Sequence, residues 1–145
     1  MITVISVGKK YEYAEAIRDY EKRLQGVFAI RWVLVPNSAK NGPEARKTES
    51  EGIFKAINSS DYIVLLDERG VQLTSPEFSE LLTTEHSPVL VIGGAYGVSD
   101  ELRQRADKVV ALGKMVFPHQ LVRLILTEQI YRAQTIAQGH PYHHK

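Results

Sequence analysis

Short apolar runs alternate along the chain with longer stretches in which apolar residues recur at helical spacing. Uninterrupted apolar runs of this kind are typical of strands buried on both faces of a parallel sheet. The predicted strands cover residues 2–7, 28–35, 62–66, 89–92 and 109–112. The helical stretches cover residues 11–24, 44–57, 75–82, a short segment after Ser99 and 118–138. This alternation predicts one α/β domain over residues 1–145, with a mostly parallel sheet flanked by helices.

Two connections at the carboxyl ends of predicted strands are candidates for a ligand site, because ligands of open α/β sheets bind beyond these ends. The glycine-rich loop 93–97 lets the backbone approach a ligand without interference from a Cβ atom. The connection 112–117 contains Met115, Val116 and Phe117, and apolar residues in a connection predict that it folds inward. It then either lines a pocket of adenine size or plugs the core.

A ligand with phosphates fits these loops poorly. The glycines stand in the pattern G-G-x-x-G rather than G-x-G-x-x-G, so the dinucleotide fingerprint is absent. Asp100 and Glu101 open the next helix, and their charges repel a pyrophosphate at its N-terminus. The Gly113-Lys114 pair lacks the other residues of a P-loop. The glycine loop therefore favours a ligand without phosphates, and a purely structural turn is the alternative.

The predicted helix 118–138 is apolar on two sides and carries only a narrow polar stripe. The stripe consists of Gln120, Arg123, Thr127 and Gln134. A helix that is apolar on two sides has to be covered twice, and a partner subunit is the simplest second cover. Glu128 and Arg132 are spaced i, i+4 on an otherwise apolar side, which predicts a paired charge at that interface.

The composition is that of a soluble globular protein, with 43% hydrophobic and 24% charged residues. The absence of cysteine excludes disulfides, thiolate metal sites and cysteine nucleophiles. Lys9 and Lys10 follow the first apolar run, whereas a signal peptide carries its positive charge before that run. No apolar run reaches the roughly 18–20 residues that span a bilayer. We therefore expect a cytoplasmic protein without a membrane segment.

Charge is distributed unevenly along the chain. Residues 1–102 carry 11 Lys and Arg against 15 Asp and Glu, whereas residues 103–145 carry 7 against 2. The basic C-terminal segment predicts an anionic partner at one face, unless these charges are dispersed in space.

The tail 139–145 combines three histidines with Tyr142 and Lys145. Aromatic rings, imidazoles and cations are the groups that contact RNA bases and phosphates. No carboxylate or cysteine stands beside the histidines in sequence, so RNA contact is favoured over a metal site. A terminus without fixed structure is the alternative.

Several segments together resemble those of a known family. They are ISVGK at 5–9, YEKR at 20–23, LLDERG at 65–70, VIGGAYG at 91–97, KMVFPHQLVR at 114–123, EQIYRA at 128–133 and PYH at 141–143. In this order they resemble the bacterial ribosomal RNA large subunit methyltransferase H family along the whole chain. His144 and Lys145 depart from members in which an arginine is followed by an acidic residue.

The resemblance implies the SPOUT fold, an α/β domain with a C-terminal trefoil knot, and a homodimer that contains the helix from Pro118 in its interface. It implies methyl transfer from S-adenosylmethionine to N3 of a pseudouridine in 23S ribosomal RNA. By the same resemblance, the residues that contact this cofactor are Leu66, Gly93, Leu112, Gly113, Lys114, Met115, Val116 and Phe117. A sulfonium cofactor without phosphates agrees with the glycine loop and its acidic neighbours.

The resemblance also implies that Tyr142 and His143 approach the target base. The candidate RNA contacts are Arg123, Arg132, Tyr142, His143 and Lys145. N3–H of pseudouridine is a weak acid, so a neighbouring base or cation has to favour loss of its proton. We predict that His143 is the catalytic residue, with Arg132 or Lys145 lowering the pKa of the nucleobase.

Three other functions remain open at this stage. A non-enzymatic RNA-binding module explains the basic tail but predicts no cofactor pocket. A nucleotide-dependent enzyme with an ordinary doubly wound fold is disfavoured by the glycine spacing. A SPOUT methyltransferase that acts on another RNA uridine uses the same cofactor loops. No metal is expected in any of them.

Overall fold

Five parallel strands form the centre of the structure, a computed structural model that describes residues 1–9, 11–84 and 87–144. The strands are β1 (Ile2–Val7), β2 (Ile30–Val35), β3 (Ile63–Gln72), β4 (Val89–Ile92) and β5 (Lys108–Ala111). They stand in the order β2-β1-β4-β3-β5, and every neighbouring pair is parallel. The predicted α/β fold with a parallel sheet is therefore confirmed.

Helices cover both faces of this sheet. They are α1 (Ala14–Glu21), α2 (Gly42–Ala56), α3 (Ser75–Thr83), α4 (Asp100–Arg105) and α5 (His119–Ala137), with a 3₁₀ turn at Gly26–Phe28. Apolar side chains of α3 and α5 pack on one face of the sheet, and those of α2 and α4 pack on the other. Helix α5 also contacts α1 and α3 on its two flanks. None of the helices in the described ranges combines the length and hydrophobicity that a bilayer crossing requires.

Strand β3 runs further than the sequence pattern predicts. The segment 67–70 was expected to end the strand, but β3 continues to Gln72 as the partner of β5. Leu66 and Val71 both align with Val110, so the segment between them bulges out of the ladder. Glu68 and Arg69 of this segment are exposed, where a strand tolerates charged side chains. The prediction that β3 ends at Leu66 is therefore wrong.

Gly70 lies where the bulge of β3 crosses the backbone of β5. A Cβ atom at this position would stand 2.6 Å from the carbonyl carbon of Val109 and 2.7 Å from the amide nitrogen of Val110. Backbone atoms cannot turn away as a flexible side chain can, so only glycine allows this approach.

We expect Gly70→Ala to destabilise the protein by about 3 kcal/mol, because the added methyl group overpacks a backbone crossing. Thermal and urea unfolding monitored by circular dichroism measure this change. Gly113→Ala is the matched control, since nothing lies within 4 Å of a Cβ atom there. Equal unfolding midpoints for the two variants would contradict the claim that the β5 backbone leaves no room for a Cβ atom at position 70.

Capping and the apolar pattern set the starts of α3 and α1 differently. Thr74, the residue before the predicted helix 75–82, caps α3: its hydroxyl accepts a hydrogen bond from the Glu77 amide at 3.2 Å, and the Glu77 carboxylate accepts one from the Thr74 amide at 2.8 Å. This reciprocal pair satisfies two amides that have no partner within the helix. Helix α1 begins only at Ala14, three residues later than its apolar pattern suggests.

The polar stripe of α5 faces the protein interior, where each of its side chains has a hydrogen-bonding partner. Gln120, Arg123, Thr127 and Gln134 are all buried. Arg123 is fully buried: its Nε donates to the Ser6 hydroxyl at 2.7 Å, and its Nη2 donates to the Val7 carbonyl at 2.9 Å. The prediction that Arg123 contacts RNA is therefore wrong, because its guanidinium binds the carboxyl end of β1.

Candidate active site

A cavity of about 630 Å³ opens at the carboxyl ends of β4 and β5, beside the bulge of β3. Three segments line it: the start of the β3 bulge, the glycine loop 93–97 and the connection from β5 into α5. The volume is in the range of small-molecule sites. Of the predicted cofactor contacts, the structure brings together Leu66, Gly93, Leu112, Gly113, Met115, Val116 and Phe117. Lys114 is exposed and does not line the cavity.

Helix α2 holds the glycine loop in place. The Tyr96 hydroxyl donates to Asn41 Oδ1, and Arg46 Nε donates to the Tyr96 carbonyl, both at 3.0 Å. A Cβ atom on Gly94 would stand 2.6 Å from Glu49 Oε1, so the loop packs directly against this carboxylate. The sequence pattern predicts a surface helix here and misses this role, yet Glu49 is only 4% exposed.

One edge of the cavity carries the Asp67 carboxylate, which is ionised at neutral pH. Asp67 accepts hydrogen bonds from Arg103 Nη2 at 2.7 Å and from the Arg69 amide at 2.9 Å. Burial alone would raise the pKa of Asp67, but the hydrogen bond from Arg103, supported by Arg69, outweighs it and holds the pKa below its ordinary value. Because both arginines that approach Asp67 are paired with it, this edge offers little to a phosphate group.

His119 stands where the cavity meets the end of β1. Its Nε2 would lie 3.5 Å from a Cβ atom on Gly8. Burial, and then repulsion from Arg123, lower the pKa of His119, while Glu12 and Glu49 only partly oppose this shift. The ring is therefore neutral at pH 7, as suits a site for a cationic ligand.

We expect the stability of the protein to fall as the pH drops below about 6.5, the ordinary pKa of histidine. His119 titrates at a lower pH in the folded state, so the unfolded chain takes up this proton first and gains free energy from it. Melting temperatures between pH 8 and 5 should therefore fall less in His119→Asn than in the wild type. His144→Asn, at an exposed histidine, serves as the control and should follow the wild type. Parallel curves for His119→Asn and the wild type would contradict this account.

The C-terminal tail folds back onto the second half of α5. The Tyr142 ring packs on Tyr131 with centroids 4.8 Å apart, and its hydroxyl donates to Glu128 Oε1 at 3.1 Å. Arg132 Nε donates to the same carboxylate oxygen at 3.0 Å, and Arg132 Nη1 contacts His143 Nδ1 at 3.1 Å. The structure thus brings Arg132, Tyr142 and His143 together, whereas Lys145 lies outside the described residues.

Protonation states in this tail cluster follow from its contacts. Burial, the Glu128 charge and hydrogen bonds to Glu128 and Tyr20 raise the pKa of Tyr142 to about 12, so its phenol stays neutral. Arg132 can only donate hydrogen bonds, so His143 Nδ1 has to act as the acceptor in their contact. With Nδ1 as the acceptor, His143 presents its Nε2–H as a hydrogen-bond donor.

Comparison with known proteins places the whole chain in one family. Residues 1–143 match the family model described as predicted SPOUT methyltransferase. The chain belongs to the SPOUT methyltransferase family. It is 41% identical to "Ribosomal RNA large subunit methyltransferase H" of Parabacteroides distasonis, with 99% of both chains covered. Proteins of the same name from Geobacter metallireducens and Desulfitobacterium hafniense are 40% and 37% identical, with at least 98% of each chain covered.

The rim of the cavity in this SPOUT methyltransferase is apolar and exposed. Met115 and Val116 are 74% and 75% exposed. The prediction that this connection folds inward is wrong for these two residues, because one chain offers no surface that covers them. Leu121 and Leu124 on α5 are only half-buried. Exposed apolar groups of this kind mark an interaction surface.

The four arginines of the basic C-terminal segment of this SPOUT methyltransferase are engaged within the protein. Arg103 pairs with Asp67, Arg105 with Asp107 and Arg132 with Glu128, and Arg123 is buried. Among the described residues, no three histidine or acidic side chains are grouped as metal ligands.

Proposed function

We propose that this protein transfers a methyl group from S-adenosylmethionine to N3 of a pseudouridine in 23S ribosomal RNA. The relatives at 37–41% identity are named as ribosomal RNA large subunit methyltransferases, which supports an RNA substrate. The observation that carries the proposal is the cavity beside the β3 bulge and the ends of β4 and β5, where Arg69 and Arg103 are both paired with Asp67 and so are not available to a phosphate.

S-adenosylmethionine fits this cavity in size and charge. Its adenine ring has apolar neighbours available in Leu66, Leu112 and Phe117, and backbone groups of the surrounding loops are available to bind the ring edge. The Asp67 carboxylate and the neutral His119 ring suit a cationic ligand. When bound, the cofactor supplies a methyl group already activated by its sulfonium. The chain itself has to position the acceptor in line with that group.

The tail cluster is suited to the acceptor base. Arg132 and the Nε2–H of His143 favour an anion in front of them, so they lower the pKa of the nucleobase N3–H. His143 thus acts by donating a hydrogen bond to a carbonyl oxygen of the base, and water removes the proton. This gives a specific role to His143, for which the sequence predicts a catalytic role without choosing between a base and a donor.

The cavity and the tail cluster are separate within one chain. The cavity includes the first turn of α5, at His119 and Val122, whereas Arg132 lies more than two turns further along the same helix. With a rise of about 1.5 Å per residue, ten to thirteen residues span about 15–20 Å. A methyl group cannot cross that distance, so we infer that the tail of one subunit completes the cavity of its partner in a homodimer.

The proposed interface of this dimer is an apolar surface formed by exposed Met115 and Val116 with half-buried Leu121 and Leu124. Its exposure in a single chain supports the dimer. The trefoil knot of the SPOUT fold is proposed from the family match over residues 1–143. Because ribosomes are the proposed substrate, the cytoplasm is the proposed site of action.

Calorimetric titration tests the cofactor assignment. S-adenosylmethionine is expected to bind the wild type but not the Gly113→Phe variant, because the new ring fills the open space at this cavity residue. NADH is expected to give no heat. Binding of NADH, or no binding of S-adenosylmethionine, would overturn the assignment in favour of a nucleotide enzyme or a non-enzymatic RNA-binding module.

A further inference from the structure

Arg23, just beyond the end of α1, is an exposed cation to which the proposed function assigns no role. Its guanidinium carbon lies 5.7 Å from the ring centroid of Tyr20 and 5.5 Å from that of Tyr131. In the described parts of the chain, no carboxylate forms an ion pair with it. It therefore differs from Arg103, Arg105 and Arg132, each of which has a carboxylate partner.

The backbone at Arg23 is fixed by α5. Gln134 Nε2 donates to the Arg23 carbonyl at 2.7 Å, and Gln134 Oε1 accepts from the Gln25 amide at 2.8 Å. Gln134 is only 4% exposed, so this clamp belongs to the core of the protein. The clamp fixes the backbone of Arg23, and the two rings lie beside its guanidinium. Both contacts restrict this side chain and so reduce the entropy that it loses when a ligand binds.

The same rings connect Arg23 with the tail cluster. Tyr20 and Tyr131 have centroids 5.9 Å apart, and Tyr131 and Tyr142 have centroids 4.8 Å apart. The Arg132 guanidinium lies 4.9 Å from the Tyr142 centroid. Arg23 and Arg132 therefore flank one continuous aromatic surface, which we call the tyrosine surface (Tyr20, Tyr131 and Tyr142).

We propose that Arg23 binds a backbone phosphate of the RNA whose target base meets the tail cluster. The inference rests on the proposed function and extends the acceptor site onto α1. A guanidinium that stacks on aromatic rings keeps its N–H edge free, and that edge matches two phosphate oxygens. The absence of a carboxylate partner leaves this charge available to a polyanion. The neighbouring rings suit unstacked bases of a single-stranded loop.

Arg23→Ala, Arg23→Lys and Arg31→Ala test this inference. Arg31 is an equally exposed arginine on β2 and serves as the matched control. The substrate is ribosomes from a strain that lacks this protein, with S-adenosylmethionine at saturation. We expect Arg23→Ala to raise KM for ribosomes about tenfold, the cost of one charge-assisted contact, without changing kcat or the affinity for the cofactor. Arg31→Ala should match the wild type.

Salt dependence separates a phosphate contact from a structural effect. Loss of one phosphate contact reduces the slope of log affinity against log salt by about 0.7–0.9 in filter binding of the ribosomal RNA. Arg23→Lys should keep the wild-type slope, because its charge remains, while its KM rises severalfold with the loss of the planar fork. Melting temperatures of all three variants should lie close together.

Equal KM values and equal salt slopes for Arg23→Ala and Arg31→Ala would overturn the inference and leave an acidic protein surface as the ligand of Arg23. A wild-type protein that transfers no methyl group would instead refute the proposed function. In that case the filter-binding slopes would still decide whether Arg23 contacts RNA.

Discussion

Arg132→Ala is expected to lower the single-turnover rate of methyl transfer by about 10²–10³-fold, the usual effect of removing one group that stabilises developing charge. Arg132 is the cation of the tail cluster, and its contact with Nδ1 sets which nitrogen of His143 carries the proton. The variant loses both the positive charge that favours the N3 anion and this orientation. Arg132→Lys keeps only the charge and should retain an intermediate rate.

The matched control for this experiment is Arg105→Ala. Arg105 and Arg132 are each 25% exposed and each pair with one carboxylate, Asp107 and Glu128 respectively. Only Arg132 belongs to the tail cluster. Rapid mixing of enzyme and cofactor with limiting ribosomes gives the rate of the chemical step, and calorimetry checks that cofactor affinity is unchanged. Equal rate losses in the two variants would show that Arg132 has no special role in the reaction.

Two inactive variants are expected to restore activity when they are mixed. Arg132→Ala keeps the cavity but loses the cation of the tail, whereas Gly113→Phe keeps the tail but fills the cavity. In a two-fold symmetric dimer, a mixed pair contains one site with an intact cavity and an intact tail. Random exchange makes half of the dimers mixed, so about one quarter of the wild-type activity should return.

This recovery depends on each site being shared between subunits. The variants are refolded together to allow exchange, and a sample refolded separately and combined at the end provides the control. Leu124→Glu places a charge in the proposed interface and should abolish both the dimer in light scattering and the recovery. No recovery in verified mixed dimers would show that cavity and tail of the same chain act together.

The helices and strands could be predicted because each has a characteristic pattern of apolar residues within its own segment. The strands and their order along the chain follow from uninterrupted apolar runs, and Ser99 caps α4 as expected. The cavity loops could be predicted as well, because strand ends meet at one edge of a parallel sheet. Four of the five strands end within two residues of their predicted ends, whereas β3 extends six residues further.

Features that depend on distant segments could not be predicted locally. In the sequence Gly70 resembles an ordinary turn residue, because the close approach of the Val109 backbone is seen only in the structure. Glu49 reads as a surface residue on a charged helix, and only the packed loop around Gly94 explains its burial. Arg123 reads as an exposed cation, because nothing in its neighbours indicates that β1 would present carbonyl groups to it.

In the tail, the kind of partner could be predicted from the sequence, but the hydrogen-bond roles of the side chains could not. Its histidines and Tyr142 indicate a nucleic-acid contact by residue type, but the direction of each hydrogen bond depends on α5. The contact between Arg132 and Nδ1 of His143, from which we propose that His143 acts as a donor, could not be predicted from the sequence. The tyrosine surface needs α1 and α5 side by side, so the role proposed for Arg23 could be inferred only from the structure.

The central claim is methyl transfer to a pseudouridine of ribosomal RNA, and one measurement tests it directly. Ribosomes from a strain without this protein are incubated with the wild-type protein and methyl-labelled S-adenosylmethionine, and the RNA is digested to nucleosides. Our account predicts label in a single nucleoside, a pseudouridine methylated at N3, within the 23S RNA. Label on another nucleoside, or on none, would contradict it.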